Sequence, residues 1–382
     1  MKWFGRRSGR DGVRPVLARG GATLWRDGSG PAAGDWAQGY EAQLREAYLG
    51  NPIAQRAVRI VAEGLASLPL KGDARAVALV DTRSAGQELL ESVGSQLLLH
   101  GNAYVQIIDD GAGGIGELYA LRPERVTVEA DATGWPVAYR YRVGERVMRI
   151  AAEGDGGRPG LIHLRGFHPM DDHYGLGCLG VAAGAVAIHN QAARWNKALL
   201  DNAARPSGAL VHDPGDGGVL SGEQFERLRA QMDDAFAGAA NAGRPMLLDG
   251  GLKWQAMSLT PADMDFVGLK GQAAREIALA FGVPPMLLGL PGDNTFANYR
   301  EANRALWRQT IVPLGKRVLG AIGQGIDGWL GTGALEIEME AIPALSDERD
   351  QLWARVAGAD FLSPEEKRGL VGLGPNSPVR AE

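Results

Sequence analysis

Hydrophobic and polar positions repeat with two different periods along this chain, and the changes of period divide it. Ile53, Ala57, Ile60, Val61, Leu65 and Leu68 keep helical spacing. Asn51-Pro52 in front of them supplies a cap and a first-turn proline. Leu89, Leu90, Val93, Leu97 and Leu98 lie on one face of a second helix over roughly Gln87 to His100, which Gly101-Asn102 ends. The period then drops to two. "AYVQII", "ELYAL", "RVTVEA", "PVAYRYRV", "RVMRI" and "LIHLRGF" are short, partly alternating and separated by Gly/Asp turns, so they predict strands. Strands that follow one another without helices between them predict antiparallel sheet and an α+β fold.

Helical spacing returns in a long helix from about Cys178 to Ala204, stopped near Arg205-Pro206. A compact α/β insert follows. It contains a strand "GALVHD", a helix from Ser221 whose Gln224 completes a capping box, and a strand region "RPMLLDGGLKWQAMSL". Thr260-Pro261 with Asp263 predicts another helix start, running to Phe281 and ended by Gly282 and Pro284-Pro285. The loop "GLPGDNTFAN" leads into a third long helix, which Pro313 is expected to kink. A strand "LEIEMEAI" and two short helices close the pattern, the second opening at Ser363-Pro364 with Glu366. The two helices that bracket the insert are each roughly 30 Å long. One copy alone would leave much of them exposed, which predicts packing against neighbouring copies.

Composition narrows the chemistry. Of 382 residues one is cysteine, Cys178, so no internal disulfide forms and no Cys/His set closes a structural zinc site. The longest apolar run, around Leu176 to Ile188, is too short to span a bilayer, and no membrane partner is expected. Residues 1–40 lack periodicity and read as a mobile arm. They carry seven basic and three acidic residues, a net +4, which leaves −9 on the rest against a total of −5. An acidic body argues against a tight, static grip on phosphates.

Gly175, Gly177 and Gly180 spell G-x-G-x-x-G, the spelling of a dinucleotide-binding turn. That turn needs a strand directly before its first glycine, but "HPMDDHY" intervenes, and no βαβ unit continues. Asp201, at the distance of a ribose acid, falls inside a helix. A second match, Gly111, Gly113 and Gly116, reads as a hairpin loop. His163, His168 and His173 with Asp171 and Asp172 look like a metal set, yet the five-residue spacing alternates strand faces, and the plainer reading is a turn with solvated polar groups. There is no G-x-S-x-G elbow, and Gly315-Lys316 lacks the rest of a P-loop. The loop from Gly289 to Asn298 reads from its residues alone first as a plain helix–helix connector; it is longer than a connector needs, and its Asp293, Asn294, Thr295 and Phe296 also suit brief contact with a nucleic acid.

Taken in order, several stretches resemble the portal proteins of tailed bacteriophages. "NPIAQRAVRIVAEGLASLPL" looks like that family's opening helix and "LLLHGNAYVQII" like its Gly-Asn-Ala-Tyr turn into a strand. "LYALRPERVTV" and "LIHLRGF" match its strand phrases. "DDHYGLGCLGVAAGAVAIHNQAARWNKALLDNAARPSGAL" is similar to its turn, stem helix and exit, and "REIALAFGVPPMLLG" to its second stem helix. "FLSPEEKRGLVGLGP" is similar to its closing helix–turn. The resemblance covers nearly everything after about Tyr40. The chain departs from the pattern in its short C-terminal region and in "LVDTRSAGQ", where an Asn-Pro phrase is usual. The compact form resembles the portals of gene transfer agents.

The resemblance implies a dodecameric ring at one capsid vertex, a channel for double-stranded DNA packaging and ejection, with no catalysis and no cofactor or metal. It implies a wing over residues 41–177 and 283–345, stem helices at 178–205 and 260–282, a clip at 206–259 and a small crown at 346–382. Partners would be the major capsid protein, the terminase large subunit and then the head–tail adaptor. Gly292, Asp293, Asn294, Thr295 and Phe296 would form the tunnel loop nearest DNA. Lys270 and Arg275 would face the lumen or acids of neighbouring copies, and Glu223, Glu226, Asp233 and Asp234 would mark the clip's docking surface. A dozen helices spaced about 10 Å apart enclose a bore of roughly 28 Å, enough for a duplex about 20 Å wide. The insert carries seven acids against four bases, net −3 per copy, which favours passage over capture. Two alternatives remain at this point: a nucleotide-dependent oxidoreductase built on Gly175, Gly177 and Gly180, and a DNA-binding minor capsid protein.

Overall fold

A short helix, Tyr40–Leu44 (α1), widens into a π-helical turn at Arg45–Leu49 and delivers the chain to Asn51. There the cap read from sequence is in place. The Asn51 side chain accepts from the Ile53 and Ala54 amides at 3.0 Å each, opening Pro52–Ala66 (α2). The chain is seen here as a computed structural model that describes residue 17 and residues 39–84, 86–201, 208–212, 221–236, 252–256, 265–292, 295–331 and 334–371. Of the N-terminal arm, Leu17 is described, and its amide donates to the Thr133 carbonyl at 2.9 Å.

After α2 comes β1, Leu70–Gly72, and then a helix that the sequence reading missed, Ala74–Asp81 (α3). Asp73 caps it by accepting from the Arg75 and Ala76 amides. A two-residue ribbon, β2 (Arg83–Ser84) with β3 (Gln87–Glu88), precedes Leu89–Leu99 (α4), so the second predicted helix starts two residues late.

The predicted strands are present and antiparallel. β4 (Asn102–Asp109) lies between β5 (Ile115–Leu121) and β9 (Leu161–Arg165). β6 (Val126–Ala130), β7 (Pro136–Val143) and β8 (Arg146–Ala151) form a second sheet in that order. The second glycine match sits in the β4–β5 hairpin, where Asp109 and Asp110 side chains accept turn amides. The two sheets share a small core of Tyr104, Leu121, Val126, Tyr139, Ile150 and Leu161.

The larger core is helical. Val58, Val61 and Leu65 of α2 and Val93 of α4 are buried in one cluster with Ile277 and Phe281, and with Leu319, Ile322 and Ile326 of a later helix. Each fully buried aliphatic side chain there contributes about 1.5–3 kcal/mol. Two segments far apart in sequence also meet: β1 pairs with β12, Leu335–Ile337, in antiparallel register.

Four glycines join the sheets to the helix Cys178–Asp201 (α5). Gly101 ends α4 at φ +83°, Gly166 follows β9, and Gly175 and Gly177 precede α5. A Cβ on Gly175 would strike the Gly101 carbonyl and the Gly166 main chain. One on Gly177 would come within 2.7 Å of the Leu99 oxygen and 2.8 Å of the Gly101 nitrogen. The space a pyrophosphate would need at Gly175 and Gly177 is therefore filled by the protein's own backbone. Buried Asn102 locks the junction. Its Oδ1 accepts from the Gly175 amide at 2.8 Å, and its Nδ2 donates to the Gly175 carbonyl at 3.2 Å.

One histidine joins the same junction, and two of the three are less solvated than a plain turn implies. His163 Nε2 lies 3.1 Å from Asn102 Oδ1, and its ring stacks on Tyr104 at 4.3 Å. His173 is buried, with Nε2 donating to the Gly134 carbonyl at 2.6 Å. His168 Nδ1 accepts from the Met170 amide. Asp171 accepts from the His173 and Tyr174 amides, an Asx turn, and the Tyr174 hydroxyl accepts from the Val128 amide. Among the described residues no group of three or more His, Cys, Asp or Glu is arranged to hold a metal ion.

Substituting Gly175 by Ala should lower stability by about 3 kcal/mol, since backbone must move on both sides and the Asn102 bonds are lost; a denaturant titration measures it. Burial first, then the charges of Arg165, His100 and His173, pushes the His163 imidazole down to about 3. Its folded pKa is depressed, so the stability it confers is complete above the unfolded value near 6.5 and is lost as pH falls toward 3. The slope is up to about 1.4 kcal/mol per pH unit. Thermal melts of His163→Gln against wild type from pH 7 to 4 should show a flatter acid limb in the variant.

Candidate functional site

Two packed helices carry the candidate site. α5 has a helical face of small buried residues, Ala182, Ala185, Val186 and Ala192, and it packs on the helix that returns from the insert. The insert's described parts match the reading. β10 (Gly208–His212) pairs antiparallel with β11 (Leu252–Ala256), and Ser221 and Gln224 cap Gly222–Phe236 (α6) reciprocally at 2.9 and 3.3 Å. Glu223 and Glu226 are exposed on α6. Asp233 and Asp234 lie in its backbone span, with side chains outside the described residues.

The returning helix is described as Phe266–Ala280 (α7). The start expected at Thr260-Pro261 with Asp263 lies outside the described residues. Asp265, in a left-handed conformation at φ 42°, caps the described helix through the Gly268 amide. Ala273, Ala274, Ile277 and Ala278 are its buried face. Each helix of the pair also keeps apolar side chains exposed. Val181 and Ile188, seven residues apart on α5, are 69% and 38% exposed. Leu269 and Leu279 on α7 are 44% and 79% exposed.

The two cations singled out on this helix sit in different surroundings within the copy. Lys270 is half-buried, and its charge, after burial, helps hold the His189 imidazole below its ordinary value. His189 is itself buried against Asn51 at 3.1 Å, beside an Asn51-to-Asn190 bond of 2.8 Å, which ties α5 to the cap of α2. Arg275 donates from Nη2 to the Pro291 carbonyl at 2.5 Å and from Nη1 to the Gly271 carbonyl at 3.4 Å.

Beyond α7, Gly282 at φ +67° ends the helix as its position predicted. A 3₁₀ turn over Pro285–Leu288 and Gly289 at φ +73° follow. Pro291 and Gly292 are exposed; Asp293 and Asn294 lie outside the described residues. The loop is shorter than the sequence reading drew it. Thr295 is already the cap of Phe296–Leu306 (α8), accepting from the Asn298 amide at 3.2 Å. Phe296 occupies the first helical position, 78% exposed, with the Arg300 guanidinium 5.6 Å from its ring centre. Arg300 was not singled out from the sequence; the signal was Arg300, Arg304 and Arg308 recurring every four residues.

Pro313 disturbs the long helix one turn earlier than a kink at the ring would. Trp307–Ile311 is a π-helical turn between α8 and Val312–Leu330 (α9). The widened turn relieves the clash of the ring with the preceding carbonyls and absorbs the missing N–H. Beyond β12, Ser346–Ala357 (α10) and Pro364–Leu370 (α11) close the described chain, with the Ser363/Glu366 capping box formed. No helix among the described residues is long and apolar enough to cross a membrane.

This architecture is shared with known proteins. The sequence profile of the phage portal proteins matches residues 52–372. A protein of Rickettsia felis is 40% identical over 351 residues, covering 86% of this chain and 88% of its own length. A chain in the virion of a native gene transfer agent particle is 47% identical, covers 92% of this chain and 98% of its own, and superposes with a TM-score of 0.70. A chain in the neck of a native gene transfer agent particle, computed with C12 symmetry, is 47% identical over 93% of this chain and 99% of its own, also at 0.70. The chain belongs to the phage portal protein family.

Proposed function

We propose that twelve copies of this chain form the portal ring at one vertex of a capsid, the channel through which double-stranded DNA is packaged and ejected. The observation that carries this is the likeness, over nine-tenths of the chain, to a chain of a particle neck with C12 symmetry. The same likeness favours a gene transfer agent over a phage head as the particle. The stem supports a ring physically. A closed ring of identical copies needs two different complementary faces on each copy. The α5–α7 pair has exposed apolar side chains to build them from, Val181 and Ile188 on one helix and Leu269 and Leu279 on the other.

In this reading the protein turns over no substrate. The terminase large subunit supplies the ATP hydrolysis and docks at the clip, where Glu223 and Glu226 are exposed. The head–tail adaptor takes the same surface afterwards, and the major capsid protein surrounds the wing. Gly292 to Phe296 reach toward the DNA, with Phe296 and Arg300 as the aromatic and cationic contacts.

Light scattering and negative-stain images of the purified chain should show a ring with a central hole; a monomer or dimer would refute the reading. Ile188→Glu should collapse the ring to smaller species with unchanged helical content, because burying an apolar side chain is worth about 1.5–3 kcal/mol and the contact repeats at every seam. Deleting Gly292 to Asn294 should leave rings intact but lower the DNA content of particles, measured by absorbance ratio. The deletion spares Thr295, whose loss as a cap would add about 1 kcal/mol of unrelated destabilisation.

A further inference from the structure

The segment that leaves the second stem helix is fastened at both ends. At its near end the Thr310 hydroxyl, from the π-helical turn, donates to the Gly282 carbonyl at 2.7 Å. At its far end Arg275 donates to the Pro291 carbonyl. Between them the chain reverses through Pro285–Leu288 and Gly289. Pro291 is the last residue before exposed Gly292, so the second tether sits at the point where the loop departs.

Arg275 is unusual in what it pairs with. Among the described residues its partners are two neutral carbonyls, Gly271 in its own helix and Pro291 in the loop. A guanidinium fork reaches both at once, whereas a lysine ammonium at the end of a flexible stem is a single point charge. Its exposed neighbours on α7, Gln272 and Glu276, are bonded to each other instead.

We propose that Arg275 is the positioning residue of the tunnel loop: it ties the loop's base to the second stem helix, so that the reach of the loop toward DNA follows that helix. The inference rests on the portal reading for its consequence, though not for its geometry. Arg275 then acts through the loop and touches no DNA itself.

The test compares wild type, Arg275→Met and Arg275→Lys as assembled full-length rings. Hydrogen exchange is read on peptides covering 284–292, with α2 as internal reference, and DNA content is read on particles carrying each variant. Arg275→Met should form rings and exchange at Gly289 to Gly292 about tenfold faster, the effect of losing one hydrogen bond from a charged donor. Its particles should retain less DNA, and Arg275→Lys should fall between. Wild-type exchange in Arg275→Met rings would overturn the tether. Faster exchange with wild-type DNA content would overturn the positioning role. Loss of rings in both variants would make Arg275 an assembly contact and overturn the proposal as well. If wild type itself forms no ring, the portal reading fails, while the exchange comparison still judges the tether on whatever species is present.

Discussion

The contact on which the rest depends is the backbone-to-backbone packing of Gly101, Gly166, Gly175 and Gly177, held by the buried amide of Asn102. It brings the end of α4, the start of β4, the exit of β9 and the entry to α5 to one point. α5 has 24 residues, so it is about 36 Å long. A tilt of about 5° at its base would move its far end by about 3 Å. A ring of identical copies tolerates little such variation, because each stem face must meet its neighbour in register. A junction without side chains has few ways to relax, and the bidentate Asn102–Gly175 pair removes the remaining freedom. Glycine is used here for close approach, and the resemblance to a cofactor turn follows from that shared need.

Features written locally were legible in the sequence. Asn51, Ser221 with Gln224, and Ser363 with Glu366 cap the helices they were expected to cap, because a cap depends on residues two or three positions away. Period-two strands with Gly/Asp turns declared the antiparallel sheets for the same reason. What escaped was short or distant. α3 spans eight residues with a modest apolar face of Ala76 and Val80. β1 is three residues whose partner, β12, lies more than 260 positions later. The tethers on the loop join Arg275 to Pro291 and Thr310 to Gly282, pairs that no periodicity links. Thr295 was readable as a cap, but the polar run before it drew the boundary past it.

The π-helical turn at Trp307–Ile311 shows how one local rule reaches the site. Pro313 removes an amide and crowds the carbonyl four residues earlier. Widening the turn accommodates both. Thr310 lies within that turn and bonds the Gly282 carbonyl. The expected kink is therefore also a hinge pin: the residue that breaks the helix places the hydroxyl that secures the end of α7. Stem, loop and long helix form one mechanical unit, built from bonds between side chains and main-chain carbonyls rather than between charges.

That choice of bonds suits a conduit. Binding through Z phosphate contacts weakens with salt in proportion to Z, and a constriction lined by many unopposed cations would hold a duplex rather than pass it. Along α8, Arg304 is paired with Glu301, and Arg300 lies over the face of Phe296, where an aromatic ring offsets part of its charge. Arg275 is committed to carbonyls. The insert over residues 206–259 is net negative. Arg275, Arg300 and Arg304 are thus each engaged within the copy, and on the proposed reading contact with DNA would fall to the short polar loop and to Phe296 with Arg300 beside it. In the proposed ring such contacts would repeat at equivalent points round the channel, each too weak to stop the duplex.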